Sequence, residues 1–258
     1  LDDAKWLEGI VDQFEKRLQN THKLAPDKRR EVVGANVQIE EHIQPNDETT
    51  MKTLDDIAIA CQTDRASVFT RTYGKPHDYA RHYDKLFTPL REQPIKFAEI
   101  GVGGGEGVQM WLRYFEHEDS RIFGVDVVTG TNDWDTPGVM ASLEPRYAFT
   151  QGTQCDPEFW KRFIEAHGGD FDVICDDGLH SNIAVITTFN ALWQHVKPGG
   201  FYAVEDLSVA YGGPSFFVSP DWPDQVSFLK GKIDELNRGG EIDSIYFSKE
   251  LAVLRKSL

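Results

Sequence analysis

The sequence is short of cysteine, of cationic side chains and of long apolar runs. Its three cysteines, Cys61, Cys155 and Cys175, stand far apart and form no Cys-x-x-Cys pair. That fits free buried thiols in a reducing compartment better than a disulfide framework or a zinc site. Lys and Arg number 27 against 42 Asp and Glu, a formal net charge of -15. A surface of that sign repels phosphate, so neither nucleic acid nor an anionic membrane is an expected partner. No apolar stretch approaches the ~18 residues that span a bilayer. The opening LDDAKWLEGI is not the basic-then-apolar pattern of a signal peptide. The expected location is cytoplasmic.

What is present suffices for one large α/β domain with a real core: 258 residues, 40% hydrophobic and 12% aromatic. Residues 1–70 read as a helical region, a cap or an oligomer contact, with Trp6, Ile10, Val11, Phe14 and Leu18 at helical spacing and a second stripe at Leu54, Ile57, Ala58 and Cys61. From residue 95 strand and helix patterns alternate: IKFAEIGV, GVQMWLRYF, RIFGVDVV, YAFTQG, DPEFWKRFIEAHG, FDVICDD, IAVITTFNALWQHV and GFYAVEDL. A further helix is expected near 224–237, and IDSIYFSK and ELAVLRK close the chain as an antiparallel pair. The fold class is therefore α/β with a Rossmann-like, mostly parallel sheet and one antiparallel C-terminal strand, spanning 71–258. Such sheets bind ligands at the carboxyl ends of their strands. Glu99, Asp126, Asp176, Asp177, Glu205 and Asp206 all fall at such ends.

The first strand runs into EIGVGGGEG. A dinucleotide fingerprint requires Gly-x-Gly-x-x-Gly, and its third glycine is here Glu106, a carboxylate that would repel a pyrophosphate. Glu99-x-Gly101-x-Gly103-x-Gly105 instead matches the loop of S-adenosylmethionine methyltransferases, whose cofactor carries an ammonium and a sulfonium and no phosphate. Asp126, closing the second strand, is placed to accept both ribose hydroxyls. After the third strand, Gln154, Cys155 or Asp156 can reach the adenine, although Asp156 before Pro157 reads equally well as a helix N-cap.

The fourth strand ends in Asp176-Asp177-Gly178-Leu179-His180 and the fifth in Glu205-Asp206. Neighbouring strands would bring these carboxylates together, where they repel unless a cation joins them. Oxygen-only ligands suit Mg²⁺ or another hard divalent ion, although any one of these carboxylates reads equally well as binding the methionine ammonium, capping a helix or pairing with Lys or Arg. Within this cluster His180 is a candidate general base for a hydroxyl, or else a structural or substrate-positioning residue. Tyr211, Phe216, Phe217 and Trp222, in the irregular stretch after the fifth strand, offer flat faces for a sugar ring or aglycone.

Taken in order, TLDDIAIACQTDR, HDYARHYDKLFTPLR, FAEIGVGGG, IFGVDV, FDVICDDGLH and GGFYAVEDL resemble the metal-dependent sugar O-methyltransferases of the macrocin and mycinamicin group, over roughly residues 53–210. The resemblance implies that Asp177, Glu205 and Asp206 hold Mg²⁺, that His180 is the base and that Asp176 faces the cofactor. It also implies that Asp126 binds the ribose and that Tyr79 and Tyr83, from a His-x-Tyr-x-x-x-Tyr segment starting at His77, lie near S-adenosylmethionine, although both rings read equally well as core contacts. The expected partner is a small-molecule sugar substrate, either a glycosylated natural product of antibiotic biosynthesis or a nucleotide-linked deoxysugar such as dTDP-rhamnose, with the chain a homo-oligomer. Two departures stand out. Gln62-Thr63-Asp64-Arg65 replaces the family's usual Gly-Thr-Asp-Lys, and Leu179 replaces the commoner Ser. The rival readings are an NAD-dependent oxidoreductase and a non-catalytic metal-binding or assembly protein that kept the fold.

Overall fold

The computed structural model describes residues 52–68, 76–127, 145–212 and 220–258. They belong to a compact unit that runs from Lys52 to Leu258. The helical pattern expected over 1–51, and the sugar-facing Phe216 and Phe217, lie outside the described residues.

The unit opens on α1 (Leu54–Cys61). Thr53 caps it reciprocally: its hydroxyl accepts from the Asp56 N–H at 3.1 Å, and the Asp56 carboxylate accepts from the Thr53 N–H at 3.0 Å. The helix ends on Gln62 in the left-handed region, at φ 58. A glycine holds that conformation without the Cβ penalty, which gives the family's Gly at this point a physical reason. There follow α2 (Ala80–Phe87), β1 (Lys96–Ile100), α3 (Glu106–Tyr114), β2 (Arg121–Asp126), β3 (Tyr147–Gln151) and α4 (Pro157–His167). The chain continues through β4 (Phe171–Asp176), α5 (Asn182–Leu192), β5 (Val196–Val204), a short α6 (Val209–Gly212), α7 (Gln225–Asn237), β6 (Ile242–Ser248) and β7 (Leu251–Lys256). Asp156 does cap α4, accepting from the Glu158 N–H at 2.9 Å, with Pro157 as the first helical residue.

The strands form one seven-stranded sheet in the order β3-β2-β1-β4-β5-β7-β6. The first five are mutually parallel, and β7 runs antiparallel to both of its neighbours. This is the mostly parallel α/β sheet with one reversed strand that the sequence pattern indicates. No helix among the described residues is long and apolar enough to cross a membrane.

Two apolar layers cover the sheet. Phe97, Val173, Cys175, Phe201 and Ala203 pack with α1, α2 and α3. Ala98, Ile100, Ile174, Tyr202 and Val204 pack with α4, α5 and α7. Successive strand residues point to opposite faces. The acidic residues at the strand ends are therefore sorted by parity before any local geometry is considered. Glu99, Asp177 and Glu205 fall on the α1–α3 side, and Asp176 falls on the other.

Candidate active site

The parity rule resolves the pair Asp176-Asp177. Asp176 is fully buried on the α4–α5 side, where Gln154 Nε2 donates to its Oδ1 at 3.0 Å and the Tyr202 hydroxyl lies 3.4 Å from its Oδ2. Burial pushes this carboxyl up to about 7, against the pull of the Gln154 hydrogen bond. The same Gln154 accepts the Leu179 N–H at 2.6 Å and donates to Thr188 at 3.1 Å. Gln154 is thus the clamp that shapes the Asp-Asp-Gly-Leu-His loop. Leu179 takes part through its backbone N–H, a contact that does not depend on its side chain. Gln154→Ala is expected to cost about 2–4 kcal/mol, since it strips partners from a buried carboxyl and a loop N–H. A denaturant melt of the two proteins would measure it. Cys155, beside the clamp, is buried, and burial pushes its thiol up to about 12.

On the opposite face Arg65 dominates. This side chain is 3% exposed and reaches three strand ends: Nη1 lies 2.9 Å from Glu99 Oε1, Nη2 2.6 Å from Asp177 Oδ2, and Nε 2.8 Å from Glu205 Oε1. Glu205 is further saturated by the Tyr83 hydroxyl at 2.6 Å and Cys175 Sγ at 3.2 Å. Burial raises Glu99 to about 7 in spite of the Arg65 charge beside it. It also holds Asp177 well above the usual carboxylate range, with Glu205 adding to the rise and Arg65 opposing it.

Around the outer oxygens of this cluster lie His180 and Asp206. His180 Nε2 is 3.5 Å from Asp206 Oδ2 and 4.0 Å from Asp177 Oδ1. The nearest polar atoms of Asp177, His180 and Asp206 fall within 4.8 Å of one another, and the carboxylate oxygens among them suit a hard divalent cation. Both His180 (φ 57) and Asp206 (φ 56) are held in the left-handed region, a strain of the kind concentrated at functional sites. Asp206 also belongs to a second group. Its Oδ1 accepts the Tyr79 hydroxyl at 2.8 Å and lies 3.3 Å from His77 Nδ1, which is itself 3.3 Å from Glu250 Oε2. His77 and Tyr79 reach this position because the 64–66 segment accepts backbone N–H groups from His77 and Ala80, at 2.8 and 2.9 Å. That pairing also delivers Arg65.

The glycine loop stands against this site. The N–H groups of Val102 and Gly103 converge on Asp126 Oδ2 at 3.0 and 2.9 Å, which ties the loop to the end of β2. Gly101 (φ 86) packs directly on the Asp177 and Gly178 backbone. With Glu106 opening α3 and Asp126 at the strand end, the loop's chemistry suits a cofactor without phosphates.

The structure therefore brings Asp177, His180 and Asp206 together and leaves Glu205 facing Arg65. It places Tyr79 on Asp206 and Tyr83 on Glu205. Glu99 sits in the Arg65 network, and Gln154 and Asp176 sit in the loop clamp. Gly101, Gly103 and Asp126 form the loop at the carboxyl edge. Tyr211 is exposed at the end of α6, and the Trp222 carbonyl accepts from Asn182 Nδ2 at 3.2 Å. Arg65 and Glu250 escaped the sequence reading. For Arg65 a signal existed: an acidic residue on one parity of three adjacent strands, facing an apolar helical layer, requires a buried cation.

Residues 98–207 match the family described as a methyltransferase domain. The chain is 34% identical over 195 residues to L-olivosyl-oleandolide 3-O-methyltransferase of Streptomyces antibioticus, covering 71% of this chain and 46% of that one. It is 37% identical over 150 residues to mycinamicin VI 2''-O-methyltransferase of Micromonospora griseorubida, covering 55% and 35%. The chain thus spans less than half the length of either relative. Among solved structures it is similar to the MycE methyltransferase of the mycinamycin pathway in complex with Mg, SAH and mycinamycin VI. There the TM-score is 0.67 and the identity 31%, over 81% of this chain and 56% of that one. Over the matched stretch the sequence and the sheet are those of the macrocin and mycinamicin type of sugar O-methyltransferases, the family to which the chain belongs.

Proposed function

We propose that the chain is an S-adenosylmethionine- and divalent-metal-dependent O-methyltransferase acting on a sugar hydroxyl of a glycosylated natural product in antibiotic biosynthesis. The observation that carries this reading is the convergence of Asp177, His180 and Asp206 at the strand ends, directly against the Gly101 loop. Asp177, Glu205 and Asp206 would hold the metal, the two aspartates through the oxygens turned toward His180. Asp126, with the glycines before it, would hold the ribose. When bound, the cofactor supplies an electrophilic methyl group and the metal lowers the pKa of a coordinated hydroxyl.

His180 takes the hydroxyl proton on Nε2. Burial lowers this imidazole below its ordinary value, while Asp206 and Glu205 oppose the shift, so the neutral form needed of a base prevails at neutral pH. Asp206 is oriented for its part by the Tyr79 hydroxyl. Tyr211 and Trp222 would offer aromatic faces to the sugar ring.

A screen of glycosylated natural products and sugar nucleotides with methyl-labelled cofactor tests the activity. Label transfer to a sugar hydroxyl that EDTA abolishes and Mg²⁺ restores is the expected result. Transfer indifferent to EDTA would refute the metal requirement.

A further inference from the structure

We infer that Gln225, the first residue of α7, is a positioning residue for His180: its side-chain amide holds the backbone of that histidine and so aims the imidazole at the reacting hydroxyl. The inference rests on the reading of His180 as the proton acceptor and adds the element that keeps it in place.

The contact itself is direct. Gln225 Nε2 donates to the His180 carbonyl at 3.1 Å across 45 residues of chain. His180 needs such a hold. Its φ of 57 lies in the left-handed region, which a residue with a Cβ leaves when its neighbours release it. On the N-terminal side the Gln154 clamp takes the Leu179 N–H. On the C-terminal side Ser181 caps α5, accepting from the Ala184 N–H at 3.2 Å. Gln225 supplies the hold on His180 itself. A second bond runs the other way between the same two segments, from Asn182 Nδ2 to the Trp222 carbonyl at 3.2 Å.

Gln225 stands on a fixed platform. Asp224 caps α7, accepting from the Ser227 N–H at 2.7 Å. Val226 and Leu229 are buried in the layer that holds α5, and the Phe228 ring meets Phe189 edge-on at 5.3 Å. The amide is also an expensive choice for this place. Gln225 is 1% exposed, and its Oε1 finds no hydrogen-bond partner among the described residues. A buried polar atom left unpaired destabilises the fold, so an apolar side chain of the same size would serve packing at least as well. What the amide provides, and an apolar side chain does not, is the donor to His180.

The test has two arms, with the native chain, Gln225→Met, Gln225→Ala and His180→Ala. Met keeps the length of Gln without its donor, and Ala removes the donor without adding a thioether. The first arm needs no acceptor. The chains are labelled with carbon-13 at histidine Cε1, and the His180 signal is the one of eight that His180→Ala removes. Both Gln225 variants should shift or broaden that signal. In Gln225→Met the melting temperature should stay close to native, because loss of the bond is offset by loss of the unpaired oxygen. The second arm uses S-adenosylmethionine with the acceptor found in the labelled-methyl screen. Gln225→Met should lower kcat roughly 10- to 100-fold with the KM of the acceptor little changed, since a misplacement of about 1 Å costs that much. In the His180→Ala background the same substitution should do little more, the non-additivity expected of residues acting through one another.

An unmoved His180 signal in the Gln225 variants would overturn the inference, as would equal losses of kcat from Gln225→Met in the native and His180→Ala backgrounds. If neither Gln225 variant folds, Gln225 is a structural residue and the inference fails. Near-full turnover by His180→Ala would instead remove the proposed base, and the histidine signal would still decide whether Gln225 holds His180.

Discussion

His180→Ala should lose about 10²–10⁴-fold in turnover, the span over which a positioned base contributes to proton transfer. The loss is expected with metal binding and cofactor binding little changed, because in the proposed site those tasks fall to the strand-end carboxylates, the glycine loop and Asp126. The native enzyme should also show an ascending pH limb that the variant lacks. Burial depresses the imidazole below its ordinary value, so the rate should rise as pH climbs through that depressed value and level off before about 6.5. The sign for stability is the same. A histidine with a lowered folded-state pKa opposes folding once protonated, so its stability contribution is present above about 6.5 and is lost as pH falls through the folded value. Single-turnover rates against pH for both proteins check the prediction. Near-full turnover by the variant would remove His180 from the chemistry.

The parts that were legible beforehand are those governed by periodicity and local chemistry. Strand and helix segments, the Asp156–Pro157 cap, the reversed last strand and the edge at which the acids gather all follow from patterns a few residues long. The parts that were not legible depend on contacts distant in sequence. Arg65 meets Asp177 and Glu205 across separations of 112 and 140 residues, and no local pattern announces that pairing. Reading the strand ends as one acidic cluster missed that strand parity divides them. Asp176 goes to the Gln154 clamp, and Glu99, Asp177 and Glu205 go to the guanidinium. Asp206 escapes that sorting because its backbone turns left-handed, and that turn aims its carboxylate at His180 and His77. Tyr79 and Tyr83 show the same limit. Their four-residue spacing marks one helical face, but the partner of each hydroxyl, Asp206 for one and Glu205 for the other, follows β5 at separations of 127 and 122 residues.

Gly101→Ala should be the most damaging small substitution in the glycine loop, at about 3–5 kcal/mol. Two costs combine. At φ 86 any side chain is strained, and a Cβ would sit within 3.0 Å of the Asp177 carbonyl and the Gly178 Cα, backbone atoms that cannot swing aside. Gly103 separates the two costs. It too has a positive φ, 54, but nothing lies within 4 Å of a Cβ built there. Gly103→Ala should therefore lose only about 1 kcal/mol, from backbone strain alone. Urea melts of the two variants against the native chain measure the difference. Because Gly101 rests on the loop that carries Asp177, its alanine variant should also weaken Mn²⁺ binding, whereas Gly103→Ala should leave it intact. Equal losses of stability in the two variants would mean that the loop is governed by φ alone and that the close approach does not matter. A large loss confined to Gly101→Ala, together with weaker Mn²⁺ binding, would mean that the loop proposed for the cofactor and the loop proposed for the metal are built as one contact. In that case neither can shift without the other, as an in-line transfer between their ligands requires.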